Sequence, residues 1–151
     1  MFSEQDHYFM QRAIELARSA ADNNEVPVGA VLVFDNQIIG EGWNCPIKNC
    51  DPTAHAEMIA LRQGAAALAN YRTIDTTLYV TLEPCIMCVG AIVHARVKKV
   101  IFGAPDPKTG AVQSVFAMAD AQVFNHRVEY AGGLLAQPCG ALLKEFFKAR
   151  R

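Results

Sequence analysis

Apolar and polar positions alternate along the chain with two different periods, and the changes between them mark the elements. From Asp6 to Ala21 the residues Met10, Ala13, Ile14, Ala17, Ala20 and Ala21 recur at helical spacing with charges between them. Gly29–Phe34 (GAVLVF) is then continuously apolar and rich in Val. A turn at Asp35-Asn36-Gln37 leads into a returning strand, Ile38–Trp43, so a hairpin is predicted. Asn44–Thr53, with two prolines, reads as a loop. Thr53 is placed to cap a helix whose periodic positions are Met58, Ile59, Leu61 and Leu68 and which ends before Tyr71.

The second half continues in alternation. Thr77–Thr81 reads as a strand, and Pro84 opens a helix running from Cys85 to Ala95. Val97–Gly103 is another strand, followed by the turn-rich Ala104–Gly110. A weaker helix (Ser114–Ala121), a short strand (Arg127–Tyr130) and a last helix (Cys139–Arg150) complete the chain. The order α-β-β-α-β-α-β-α-β-α predicts an α/β fold, a mixed sheet with helices on both faces. Ligands of such sheets bind beyond the carboxyl ends of the parallel strands.

Composition narrows the class. The 151 residues carry no internal repeat or linker-like run, so one domain is expected over 1–151. Hydrophobic residues make up 52% and charged ones 19%, which excludes a disordered, highly charged chain. No apolar run reaches the ~18 residues of a spanning helix, and the amino terminus has no signal-peptide pattern. A cytoplasmic protein without a membrane partner is therefore expected. The net charge of −1 gives no bulk signature of nucleic-acid binding. Five cysteines are an odd number for a disulfide framework, and direct attention to metal or catalytic use.

Two motifs carry the chemistry. The first is Thr53-Ala54-His55-Ala56-Glu57, and the second is Glu83-Pro84-Cys85-Ile86-Met87-Cys88. Two cysteines three apart at a helix start share a face, and the helix amino terminus favours their thiolates. His55, Cys85 and Cys88 make three donors of a kind that suits Zn²⁺, and three protein donors are the pattern of a catalytic site. His55 and Glu57 diverge in a regular helix, so they can approach one ion only from the first turn. Glu57 is then a proton carrier that need not bind the metal. Three alternatives stand beside this reading: a redox Cys pair, spectator core thiols, and a structural zinc. The last would take a fourth ligand from Cys45, Cys50, Cys139, His7, His94 or His126.

The two motifs together resemble the signature of the zinc-dependent nucleobase deaminases, a metal-bound His with Glu two residues on and Pro-Cys-x-x-Cys downstream. The likeness extends through Glu25–Val33, Gly40–Asn44, Asp51–Glu57, Thr77–Cys85, Phe102–Ala111 and Asn125–Glu129 to the bacterial tRNA-specific adenosine deaminases. It implies a three-layer α/β/α cytidine-deaminase-like fold with a mixed five-stranded sheet, a homodimer, and one Zn²⁺ per subunit. The activity implied is conversion of the wobble adenosine of a tRNA anticodon loop to inosine. By position, His55, Cys85 and Cys88 hold zinc, and zinc-bound hydroxide attacks C6 with Glu57 as proton shuttle. Asn44, Ala56 and Asp106 are implied as substrate-binding positions, with Asn44 at the base and Asp106 in a loop against the anticodon. Pro105 and Pro107 depart from the family pattern and stiffen that loop. A deaminase of free guanine or cytidine would use the same metal set and is the alternative.

Nucleic-acid contact needs local cations. Lys144, Lys148, Arg150 and Arg151 set against Glu145 leave the last helix basic, and Arg96, Lys98, Lys99 and Lys108 form a second cluster in sequence. Both have an ordinary reading as solvated charge. The Phe146-Phe147 pair reads as core, Trp43 as a core or dimer residue, His7 and His94 as structural or surface, and Cys45 and Cys50 as loop thiols without a role. His126 is left open.

Overall fold

A computed structural model describes residues 1–122 and 124–151. Helix α1 (Glu4–Asp22) starts two residues earlier than its periodicity suggests, because Ser3 and Asp6 form a reciprocal cap. The Ser3 Oγ accepts from the Asp6 amide at 3.1 Å and Asp6 Oδ2 accepts from the Ser3 amide at 2.9 Å. The other Asp6 oxygen accepts from the Tyr79 hydroxyl at 2.7 Å, which ties the start of α1 to the sheet.

The hairpin is present as β1 (Gly29–Phe34) and β2 (Gln37–Trp43). The chain continues through α2 (Pro46–Asn49), α3 (Ala56–Leu68), β3 (Thr77–Leu82), α4 (Ile86–His94), β4 (Lys99–Ala104), β5 (Glu129–Gly132) and α5 (Ala136–Lys148). The five strands lie in the order β2-β1-β3-β4-β5. Strand β1 is antiparallel to both neighbours, and β3, β4 and β5 are mutually parallel, so the sheet is mixed as expected.

Alternation along the central strands divides the core in two. Ala30, Leu32, Leu78, Val80, Val100 and Phe102 pack on one face with residues of α3 and α4. Val31, Val33, Tyr79 and Ile101 pack on the other, against α1 and the start of α5. Burial on both faces is why β1 reads as unbroken hydrophobe.

Several local expectations are corrected. Thr53 does not cap α3, because its amide and hydroxyl both donate to Asp51 Oδ1; the cap position belongs to His55. Pro84 lies outside α4, whose cap is Cys85. The Asn44–Thr53 loop contains the single turn α2, with Pro46 at its start. In place of a helix over 114–121 there is one 3₁₀ turn, Met118–Asp120, because the segment's amides are spent on Glu83 and neighbouring carbonyls. Strand β5 sits two residues later than its hydrophobic pattern placed it, and α5 begins earlier, at Ala136.

Close backbone approach fixes α3 on the hairpin. A Cβ on Gly42 would lie 2.4 Å from the Ala56 carbonyl oxygen and 2.7 Å from the Ile59 Cβ, and one on Gly40 would lie 2.2 Å from the Ala60 carbonyl oxygen. Only glycine admits that contact. Overpacking of this kind costs about 1–3 kcal/mol, so Gly42→Ala should lower the melting temperature by roughly 3–10 °C in a calorimetric scan. An unchanged transition would show that α3 does not rest on β2.

Candidate metal centre and active site

The two helices that follow the hairpin and β3 begin close together. His55 occupies the cap of α3 and Cys85 the cap of α4, and neither side chain makes a capping hydrogen bond. The orphan amides at a helix start need another partner. For α3 it is Asn44, whose Oδ1 accepts from the Ala56 amide at 3.2 Å. Asn44 thus does the capping, and the His55 ring is left for other work.

That ring meets the two cysteines. His55 Nδ1 lies 3.6 Å from Cys85 Sγ and 3.6 Å from Cys88 Sγ. A tetrahedral zinc with Zn–S of ~2.3 Å and Zn–N of ~2.0–2.1 Å sets its sulfur and nitrogen donors about 3.6 Å apart. Both nitrogen–sulfur separations match that ion, and all three donor atoms lie within 4.8 Å of one another. Among the described residues these three form the group of His, Cys, Asp and Glu side chains able to grip one ion, with no fourth protein donor in it. The structural-zinc candidates lie elsewhere. Cys139 is in the core beside α1 and β4, and His126 Nε2 bonds the Val97 carbonyl at 2.8 Å. His7 Nδ1 bonds the Ser3 carbonyl, and His94 is exposed at the end of α4. Cys50 is exposed, whereas Cys45 is buried rather than an open loop thiol.

The electrostatics favour delivery of a thiolate. Cys85 is lowered to about 4, chiefly by its hydrogen bond with Cys88 and further by His55, against the effect of burial. Cys88 is pushed up because it supplies that bond and is buried. His55 is raised, first by its bond with Cys85. An incoming cation thus displaces protons from this cluster.

Glu57 stands beside the donors. It is 4% exposed and its carboxyl also meets Cys88. Burial pushes its pKa up to about 7, above the ordinary carboxylate range, and so makes the group readier to hold a proton. Its position in the first turn of α3 is what lets positions 55 and 57 converge, as the spacing required, although the cap is His55 and not Thr53.

One residue quoted in the motif but given no role organises the site's rim. Glu83, 2% exposed, joins the end of β3 to the Cys85 turn. Its Oε1 accepts from the Asp106 amide (3.0 Å) and the Ser114 hydroxyl; its Oε2 accepts from the amides of Val112 (3.1 Å), Gln113 (2.8 Å) and Ser114 (3.0 Å). Burial opposes the charge, yet those donors hold the carboxyl below its ordinary range. Glu25, also 2% exposed, accepts from the amides of Ile47 and Lys48 and so caps α2 beside Asn44. The signal for Glu83 was available, since a carboxylate at the end of the apolar run of β3 must find donors; Glu25, after Asp22-Asn23-Asn24, carries no such mark.

The remaining expected site positions fall nearby. Asp106 lies just past β4, and its carboxylate accepts from the amides of Lys108 and Thr109 and from the Thr109 hydroxyl. A groove of about 940 Å³ runs between this loop and α5, edged by Lys108, Lys144, Phe147, Lys148 and Arg151. The phenylalanine pair is split: Phe146 is buried as expected, whereas Phe147 is exposed. Arg150 lies over the Phe146 ring and bonds Asn24, so it is held within the fold. The second basic cluster is also divided, since Lys108 lies at this end of the sheet and Arg96, Lys98 and Lys99 at the other. Trp43 packs at the edge of the core under α1.

Residues 3–104 match the family model of the cytidine and deoxycytidylate deaminase zinc-binding region. The chain belongs to this deaminase family. A tRNA-specific adenosine deaminase of Haemophilus influenzae is 55% identical over 150 residues, covering 99% of this chain and 87% of that one. A solved structure from studies of A-to-I editing by tRNA:A34 deaminases superposes with a TM-score of 0.88 at 40% identity, over 90% of this deaminase and 99% of that chain. A guanine deaminase from Nitrosomonas europaea shares the fold (TM-score 0.77, 97% of this chain and 85% of that one) at 22% identity. The three-layer fold with its mixed five-stranded sheet is thus the deaminase fold, and the family's cofactor, zinc, matches the donor set this chain carries.

Replacing Cys88 with Ala should abolish stoichiometric zinc in the purified deaminase, whereas Cys50→Ser should leave it intact. Elemental analysis of both proteins decides the matter. Zinc retained in Cys88→Ala would mean that the ion is held elsewhere.

Proposed function

We propose that this deaminase, as one domain over residues 1–151, converts adenosine at the wobble position of a tRNA anticodon to inosine. The observation that carries the reading is Glu57: a buried carboxyl that is not itself one of the donors, in contact with a ligand of a three-donor zinc site. His55, Cys85 and Cys88 are the residues that would hold the ion. The chemistry zinc supplies when bound is activation of water for addition to an electrophilic ring carbon.

The chain's own groups do the rest. Glu57 takes the proton of the attacking water and returns it to ring N1, then carries a second proton to the departing amino group. Ammonia leaves, and the C6 carbonyl of inosine forms. Burial of Glu57 keeps these protons from bulk solvent. Asn44 and the Ala56 amide, already bonded to each other at the start of α3, form the wall on which the base is positioned. General acid–base transfer of this type is worth about 10²–10⁴-fold in rate.

The RNA reading rests on the groove beside the site. Lys108, Lys144, Lys148 and Arg151 supply cations for the backbone, exposed Phe147 offers a stacking face, and Asp106 lies in the wall. An anticodon loop already presents unpaired bases, so the cost of extruding the adenosine is small. The working unit is a homodimer: Ile47, Ile86, Val115 and Phe116 are exposed around the site, an apolar surface that a second copy would cover. Among the described residues no helix is long and apolar enough to cross a membrane. We place the enzyme in the cytoplasm, where its substrate is.

Glu57→Gln should bind zinc normally and lose inosine formation by at least ~10²-fold on an anticodon hairpin. Wild-type enzyme should release ammonia from that hairpin and not from free guanine or cytidine. Near-normal turnover by Glu57→Gln would contradict the role given to this residue, and turnover of free bases alone would contradict the substrate.

A further inference from the structure

Strands β3, β4 and β5 run in one direction, so the sheet has a second end, a strand length of about 20 Å away from the zinc donors. A separate cavity of about 360 Å³ opens there. Arg72 reaches it from the link after α3, Arg96 and Lys98 from the link between α4 and β4, and Arg127 from the segment entering β5. Asp75 and Glu129 share the lining, yet neither forms an ion pair with these cations: among the described residues both ion pairs belong to Arg12. Three segments distant in sequence thus bring four cations to one concavity with two acids, an excess of two positive charges, and no direct ion pair ties them together.

Helix-end electrostatics account for only one of the four. Arg96 follows the end of α4 and its Nη1 donates to the Val93 carbonyl at 2.9 Å, an ordinary use of a cation at a helix carboxyl terminus. Its backbone is left-handed (φ 62°), which closes the end of α4 as the same conformation closes α2 at Cys50 and α3 at Ala69. Arg72 lies against the ring of Tyr71, 5.4 Å from its centroid. The Val97 carbonyl holds His126 at the floor. Arg72 and Arg96 thus have a partner within the fold, whereas the side chains of Lys98 and Arg127 form no hydrogen bond or ion pair among the described residues.

We propose that this cavity binds a phosphorylated anion bearing two or more negative charges. Guanidinium groups match phosphate oxygens in paired hydrogen bonds, and three of the four cations are arginines. At the lower limit of ligand-pocket volumes, the space takes the phosphates and leaves a base outside. The phosphates have two sources, a free nucleoside polyphosphate or the backbone of RNA remote from the anticodon loop. Such a site is distinct from the groove beside α5 and does not depend on the deamination chemistry.

The test is calorimetric titration of the zinc-loaded full chain with sodium tripolyphosphate at constant ionic strength, compared with the double variant Arg72→Gln/Arg127→Gln. Both residues are exposed, and a thermal scan checks that the variant is folded. One tripolyphosphate should bind per chain, at least about tenfold more weakly in the variant, with turnover on the short anticodon hairpin unchanged. Parallel titrations then separate the sources. Weakened binding of full-length tRNA identifies the RNA backbone, whereas weakened ATP binding with unchanged tRNA binding identifies a free nucleotide. Absence of tripolyphosphate binding at millimolar concentration, or equal affinity in the variant, would overturn the proposal.

Discussion

The apposition of two helix starts is the constraint from which the site follows. A helix amino terminus carries unpaired amides and a partial positive charge, and it favours anionic or deprotonated groups nearby. In this chain α3 and α4 begin side by side, with His55 and Cys85 at the cap positions and Cys88 one turn on. Neither cap residue spends its side chain on its own helix. Asn44, from the end of the hairpin, supplies the missing acceptor for α3 and leaves the imidazole available. The close contact of Gly40 and Gly42 with α3 holds one helix in place, and β3 delivers the other. The metal geometry is therefore a property of two helices packed on one face of the sheet and not of a flexible loop.

Three buried glutamates show how environment divides one functional group into different tasks. Glu83 gathers main-chain amides from the segment after β4 and stays ionised, locking that segment to the turn that carries Cys85. Glu25 receives two amides at the start of α2 and steadies the approach to Asn44. Glu57 has no comparable set of donors, so burial dominates and its proton affinity rises towards neutrality. The structural carboxylates are satisfied by amide donors, whereas the reactive one is left to the effect of burial. The difference lies in the hydrogen bonds each one receives.

Much of this was legible in the sequence because it depends on periodicity and spacing. The hairpin, the central strands and the helix before Tyr71 follow from hydrophobic pattern, and the His-x-Glu and Cys-x-x-Cys motifs specify a donor set with a nearby acid. What the sequence did not disclose is long-range. Thr53 looks like a cap because its competitor, the bond to Asp51, leaves no mark in the pattern. The segment 114–121 has helical composition, but the Ser114 amide is claimed by Glu83, some thirty residues earlier, and the amides after it by the carbonyls of Gly110, Ala111 and Val112. Residues 96–108 read as one basic cluster, although β4 carries Lys108 to the opposite end of the sheet from Arg96 and Lys98. Only the topology separates a groove beside the active site from the cation-lined cavity behind it.

The central claim is that two sulfurs and one imidazole nitrogen from the starts of α3 and α4 form the whole protein contribution to one zinc ion. X-ray absorption at the zinc edge of the purified enzyme measures this directly. The account predicts two sulfur scatterers at about 2.3 Å, with nitrogen or oxygen at about 2.0–2.1 Å completing the shell. A shell of three or four sulfurs, or one without sulfur, would contradict it.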